Sequence, residues 1–88
     1  VAEVVGVLLR KLAAKGQILC VTHLPQVAAQ GHQHLHVSKA IEGKATQTRV
    51  VLLDGAAKVS EIARMLGGLE ITDQSIAHAR EMFESAQN

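Results

Sequence analysis

The chain has 88 residues, a formal net charge of +1 and 19% charged residues, which fits one small domain or part of a larger one without the strongly basic surface that nucleic-acid binding favours. Tyr and Trp are absent and Phe occurs once, which argues against a base-stacking surface, and no apolar run reaches the ~18 residues needed to cross a membrane. The single cysteine, Cys20, excludes an internal disulfide, and no secretion signal is visible, so we expect a cytoplasmic protein.

The first predicted element is a helix over residues 1–15. Its apolar residues recur at helical spacing and form one stripe, Val1, Val5, Leu8 and Leu12. Gly16 is well suited to end such a helix. The chain begins inside this pattern and without Met, so we expect a segment of a longer protein whose upstream part is missing here.

Residues 17–22 are predicted to form a parallel strand. The run is apolar without alternation, which is typical of a strand buried on both faces. Cys20 is then a small buried hydrophobe. The strand would deliver His23 to its carboxyl end, where open α/β sheets bind their ligands. A histidine there can donate or accept a proton; the alternative is an ordinary surface histidine.

A short helix and a hairpin are predicted next. The helix covers residues 25–30, begins with Pro25 and ends at Gly31. The hairpin strands cover residues 34–39 and 46–53, with Gly43 supplying a positive φ in a two-residue turn. This turn would place Val37 opposite Thr48 and Leu35 opposite Val50, so that the apolar side chains share one face.

Two helices complete the predicted order, α-β-α-β-β-α-α, which is an α/β fold with one buried parallel strand and one hairpin. Asp54 is expected to cap the first of them and Thr72 the second. The first of these helices should stop at Gly67-Gly68. Its apolar residues at helical spacing are Val59, Ile62, Ala63 and Leu66.

Three histidines alternate around the first hairpin strand, His32, His34 and His36. Alternate residues of a strand share a face about 6.5–7 Å apart, and a His-x-His pair can chelate Zn²⁺. No carboxylate or thiolate lies nearby in the sequence, and a solvated polar strand face explains the same residues. We therefore assign no metal site.

Two strings carry a resemblance that covers most of the chain. They are Thr-His-Leu-Pro-Gln-Val-Ala at residues 22–28, continuing through Gly31 to Lys39, and Glu-Ile-Ala-Arg-Met-Leu-Gly-Gly at residues 61–68. The chain resembles the carboxyl-terminal part of the RecN family of bacterial DNA-repair ATPases, which are related to SMC and ABC-type ATPases. The resemblance implies the carboxyl-terminal lobe of a P-loop ATPase head spanning residues 1–88, with His23 as the switch-loop histidine that contacts the γ-phosphate of ATP.

The resemblance also implies the partners of this lobe. In the family, ATP and Mg²⁺ lie between two heads, and the intact protein acts on DNA in double-strand-break repair and recombination, in the nucleoid. The chain itself contains neither a Gly-x-x-x-x-Gly-Lys-Ser/Thr loop nor a strand that ends in an acidic pair able to hold Mg²⁺, so we expect it not to hydrolyse ATP alone. The alternative is a non-enzymatic α/β interaction or metal-binding module built around the histidine strand.

Overall fold

The computed structural model describes residues 1–67 and 70–87. Four helices and one antiparallel hairpin follow one another as α1 (Ala2–Ala13), α2 (Pro25–Ala28), β1 (Leu35–Glu42), β2 (Ala45–Leu52), α3 (Gly55–Met65) and α4 (Asp73–Gln87). The observed order is therefore α-α-β-β-α-α, with a two-stranded sheet. The fold is α/β, as predicted, but it has one strand fewer.

The missing element is the predicted buried strand at residues 17–22. These residues form neither strand nor helix, and Leu19 and Val21 are 83% and 96% exposed. Cys20 is exposed as well, so its predicted burial is wrong for this structure. The physical reason is that a parallel strand forms only beside neighbouring strands, and among the described residues the two hairpin strands pair only with each other.

Helix α1 packs across the short helix α2. It ends at Ala13, two residues earlier than predicted. Gly6 is buried at the crossing, where a Cβ atom would lie 3.0 Å from the carbonyl oxygen of Gln26 and 3.2 Å from the Cα of Val27, closer than usual van der Waals contact. The Arg10 guanidinium reaches over and donates a 2.7 Å hydrogen bond to the carbonyl oxygen of Gln30.

The hairpin forms with a register that differs from the predicted one. Val37 pairs with Val50 and Leu35 with Leu52, so the prediction was wrong by two residues. Gly43 has the predicted positive φ, +64°, but it is the first residue of the turn rather than the second. A shift by two residues keeps each side chain on its face, so the apolar residues of the two strands still face the same way.

The face of the hairpin that carries the histidines was expected to be solvated, but in the structure it is the other face that is more exposed. His34 and His36 are half-buried and lie on the side of α3, where His36 contacts Glu61. The apolar face points outwards, with Val37 and Val50 each 60% exposed. The histidine face, which Val51 shares opposite His36, therefore lies on the side of the helix, and the face with Val37 and Val50 is left uncovered by the described residues.

A small core joins α2, α3 and α4. Its buried members are Ala29, Val59, Ile62, Ala63 and Ala79, with Leu66, Ile76, Met82 and Phe83 packed against them. Both predicted helix caps are confirmed. The Asp54 carboxylate accepts from the Ala57 amide at 2.9 Å, and the Thr72 hydroxyl accepts from the Ser75 amide at 3.0 Å.

Helix α3 ends at Met65, just before the predicted stop. Gly67 has a φ of +99°, a left-handed conformation that glycine adopts without strain. Gly68, the second residue of the predicted stop, lies outside the described residues. Within residues 1–67 and 70–87, none of the helices has the length and apolar character required to span a bilayer.

Candidate functional site

His23 lies in the bend between residues 17–22 and α2. Its side chain is exposed. The bend is held by the Thr22 hydroxyl, which accepts a 3.0 Å hydrogen bond from the Leu24 amide. Immediately after it, Pro25 and Val27 are buried in α2. The histidine thus stands on a short loop whose far end is anchored to the body of the chain.

The apolar segment that precedes His23 is exposed on the surface of the chain. Ile18 is 43% exposed and Leu19 and Val21 considerably more. Several consecutive exposed apolar residues are unusual on the surface of a monomeric protein. Within the described residues, no strand precedes His23, so His23 does not lie at the carboxyl end of a strand.

A second cluster of polar side chains lies between the hairpin and α3. Glu61 of α3 is at its centre, with a side chain only 12% exposed. It accepts a 2.8 Å hydrogen bond from Nε of Arg64 one turn further along the helix, and its carboxylate oxygen lies 3.6 Å from Nε2 of His36. The cluster thus connects β1 to α3 through charged and titratable groups.

The pKa values of Glu61 and His34 in this cluster are lowered by different causes. The hydrogen bond from Arg64 lowers the pKa of the Glu61 carboxyl, against the opposing effect of burial. Burial lowers the pKa of the His34 imidazole, the nearby Glu61 charge acts to raise it, and His36 and Lys58 act to lower it. The two shifts thus favour the ionised carboxyl of Glu61 and the neutral imidazole of His34.

His34 has one further peculiarity. Its Nδ1 atom is buried and has no hydrogen-bond partner among the residues that the structure describes. Protonation would place an N–H group and a positive charge at a site that offers this atom no acceptor, which is costly for a buried donor. This geometry agrees with the lowered pKa of the imidazole.

The third histidine of the alternating set does not join the cluster through its imidazole. His32 is exposed, and its carbonyl oxygen accepts a 2.8 Å hydrogen bond from Nζ of Lys58. In the described part of the chain, no group of three or more His, Cys, Asp or Glu side chains is arranged to hold a metal ion. The histidines that the sequence singled out thus separate into an exposed His32 and a half-buried pair.

Sequence reasoning missed Glu61 as the partner of this pair. The Glu61–Arg64 spacing of three residues on a helix indicates an ion pair, and the structure contains it. Nothing in the local pattern links Glu61 to a strand 25 residues upstream, because that contact depends on how the hairpin folds back onto α3.

The described elements form an α/β structure in which an exposed loop carries His23. No protein-family model matches the chain. It is 48% identical over 85 residues to DNA repair protein RecN of Vibrio cholerae, covering 97% of this chain and 15% of that protein. Similar values hold for RecN of Xylella fastidiosa, 48% over 87 residues (99% and 16%), and of Bacillus subtilis, 42% over 86 residues (98% and 15%).

The chain belongs to the RecN family and corresponds to a carboxyl-terminal segment of it. The chain spans about 15% of the length of the curated relatives it matches. The resemblance expected from residues 22–28 and 61–68 is thereby confirmed.

Proposed function

We propose that this chain is the carboxyl-terminal lobe of the ATPase head of a RecN-type DNA repair protein, and that His23 contacts the γ-phosphate of ATP in the intact protein. One observation carries the proposal: an exposed apolar segment, residues 17–22, leads directly to an exposed histidine. Both features are explained if the segment joins a sheet supplied by the rest of the protein.

In this proposal, residues 17–22 pair with parallel strands that lie outside the chain. Burial of Leu19 and Val21 stabilises this arrangement, at roughly 25 cal/mol per Å² of apolar surface removed from water. His23 then lies at the carboxyl end of the sheet, where nucleotides bind in open α/β folds.

The rest of the head would hold the nucleotide. Its phosphate-binding loop and acidic residues would bind ATP and Mg²⁺, and a second head would close the site. ATP binding and turnover would serve DNA double-strand-break repair and recombination, in the bacterial cytoplasm and in association with the nucleoid. Within this scheme the present chain contributes the histidine and not the phosphate loop.

The role of His23 follows from the chemistry of imidazole. An N–H group of the ring donates a hydrogen bond to a γ-phosphate oxygen, and the bond strengthens as negative charge shifts during transfer. Loss of one such donor costs roughly 2–4 kcal/mol of barrier by analogy with oxyanion-hole donors. This corresponds to a rate reduced by about 30-fold to 1,000-fold.

The test is ATP turnover by the intact RecN-type protein carrying His23→Ala. We expect turnover to fall by the factor given above at saturating ATP, with an unchanged circular dichroism spectrum and melting temperature. His23→Gln, which retains an N–H donor, should recover part of the rate. His78→Ala is the matched control, because His78 is an exposed histidine on α4.

Turnover within twofold of the parent in His23→Ala would remove this histidine from the mechanism. An equal loss in His78→Ala would point to a general effect on the fold. Either result would overturn the proposed contact between His23 and the γ-phosphate.

A further inference from the structure

We propose that the contact between the hairpin and α3 is a pH-sensitive latch, in which uptake of one proton by His34 releases the hairpin β1–β2 from α3. The latch consists of His34 and His36 on β1 and Glu61 on α3. It is distinct from the proposed role of His23, which lies on another loop.

The geometry shows that few contacts hold the two elements together. His36 Nε2 lies 3.6 Å from the Glu61 carboxylate, and Lys58 Nζ donates a 2.8 Å hydrogen bond to the carbonyl oxygen of His32 just before β1. The apolar face of the hairpin points away from α3. Polar contacts therefore contribute to positioning the hairpin on this helix, beside the half-buried Leu53, whose amide donates a 2.9 Å hydrogen bond to the carbonyl oxygen of His34.

His34 is the part of this interface that tolerates protonation least. It is half-buried, and its Nδ1 atom has no hydrogen-bond partner within the described residues. The charged groups that face it are Glu61 and Lys58 from α3 and His36 from its own strand. Of these, only Glu61 favours a protonated ring, and its carboxylate is already engaged by Arg64 and His36.

The direction of the pH effect follows from linkage. Burial lowers the pKa of His34 below its ordinary value of 6.5 in the docked state. The released hairpin therefore takes up the proton first as the pH falls, and docking weakens from about pH 6.5 down to the docked pKa of His34. Docking reaches its full strength about one pH unit above 6.5, where His34 is neutral in both states.

Glu61 acts in a separate pH range. Its pKa is lowered from 4.5 in the docked state, chiefly by the hydrogen bond from Arg64. Because Arg64 lies on the same helix, this effect persists when the hairpin is released, and the carboxylate becomes protonated only as the pH falls below 4.5 in either state. Measurements kept above about pH 5.5 report on His34 without protonation of this carboxylate.

The test is amide hydrogen exchange of the intact RecN-type protein at pH 7.5 and pH 5.5, corrected for the intrinsic pH dependence of exchange. A released two-stranded hairpin is marginally stable, so its amides should exchange faster at the lower pH. The expected acceleration at residues 35–52 is at most about tenfold, the limit for one proton taken up at the ordinary histidine pKa. Residues 73–87 of α4 serve as the internal control and should not accelerate.

Two variants distinguish the contribution of His34 from that of His36. His34→Gln should abolish the acceleration, whereas His36→Gln should retain it. Persistence of the acceleration in His34→Gln, its loss in His36→Gln, or an equal acceleration in α4 would overturn the latch. If His34→Gln does not fold, the pH profile of the parent protein decides, because its midpoint must lie below pH 6.5; a higher midpoint, or no acceleration, overturns the proposal.

Discussion

Gly6 is the residue at which α1 approaches α2 most closely. A Cβ atom at this position would lie 2.9 Å from Cγ of Gln30, 3.0 Å from the carbonyl oxygen of Gln26 and 3.2 Å from the Cα of Val27. The two backbone atoms belong to a helix and have little room to move. The absence of a side chain at Gly6 therefore sets the distance between the two helices and, through α2, the position of the His23 loop.

Replacement of this glycine by valine tests the contact. Gly6→Val should lower the free energy of unfolding by about 1–3 kcal/mol, the usual cost of overpacking a close contact. Gly16→Val is the matched control, because a Cβ at Gly16 meets nothing within 4 Å. The urea-unfolding midpoints of both variants measure the difference, and equal shifts would show that α1 and α2 are not in close contact at Gly6.

At the scale of elements, the features that the sequence predicts correctly are those decided locally. The caps at Asp54 and Thr72 and the positive φ of Gly43 each depend on a few neighbouring residues. The strand at residues 17–22 was predicted wrongly for this structure, because its formation depends on strands elsewhere.

The same distinction holds for the candidate site. The string around His23 is enough by itself to indicate the RecN family, and the identity of 42–48% to known RecN proteins confirms it. The association of His34 and His36 with Glu61 could not be predicted, since alternation along a strand defines two faces but not which of them meets a helix.

Helix α3 offers a direct test of a local element. The Asp54 side chain accepts from the Ala57 amide at 2.9 Å, which satisfies one of the free N–H groups at the start of the helix. Asp54→Ala should cost about 0.5–2 kcal/mol of stability, whereas Asp54→Asn, which retains the acceptor, should cost only a few tenths. The measurement is thermal unfolding of the intact protein, and identical melting temperatures for the two variants would contradict a capping role.

At the scale of the whole molecule, the chain is less compact than its length allows. Its Cα radius of gyration is 14.1 Å, against about 12 Å for a compact domain of this size. Among residues 1–67 and 70–87, three surfaces are apolar and exposed: the stripe of α1, residues 17–22 and the outer face of the hairpin. Apolar surface of this extent is typical of a surface that contacts another protein surface.

The isolated 88-residue chain is therefore expected to self-associate. Leu19 and Val21 on residues 17–22, with 83% and 96% exposure, and the outward hairpin residues Val37 and Val50, each 60% exposed, provide apolar surfaces that a second copy can cover. Pairing of unpaired strand edges between chains, or exchange of α1, would hide the same surfaces. Light scattering across a dilution series should show dimers or larger species that dissociate on dilution.

The paired substitution Val37→Lys and Val50→Lys should shift this equilibrium towards the monomer, because it places two charges on the uncovered face of the hairpin. Lys39→Ala, on the same face of β1, is the control and should leave association unchanged or strengthen it. A folded monomer of the unmodified chain at high micromolar concentration would mean that these 88 residues bury their own apolar surfaces in solution. In that case residues 17–22 would need no partner strand, and the proposed position of His23 at the end of a shared sheet would lose its main support.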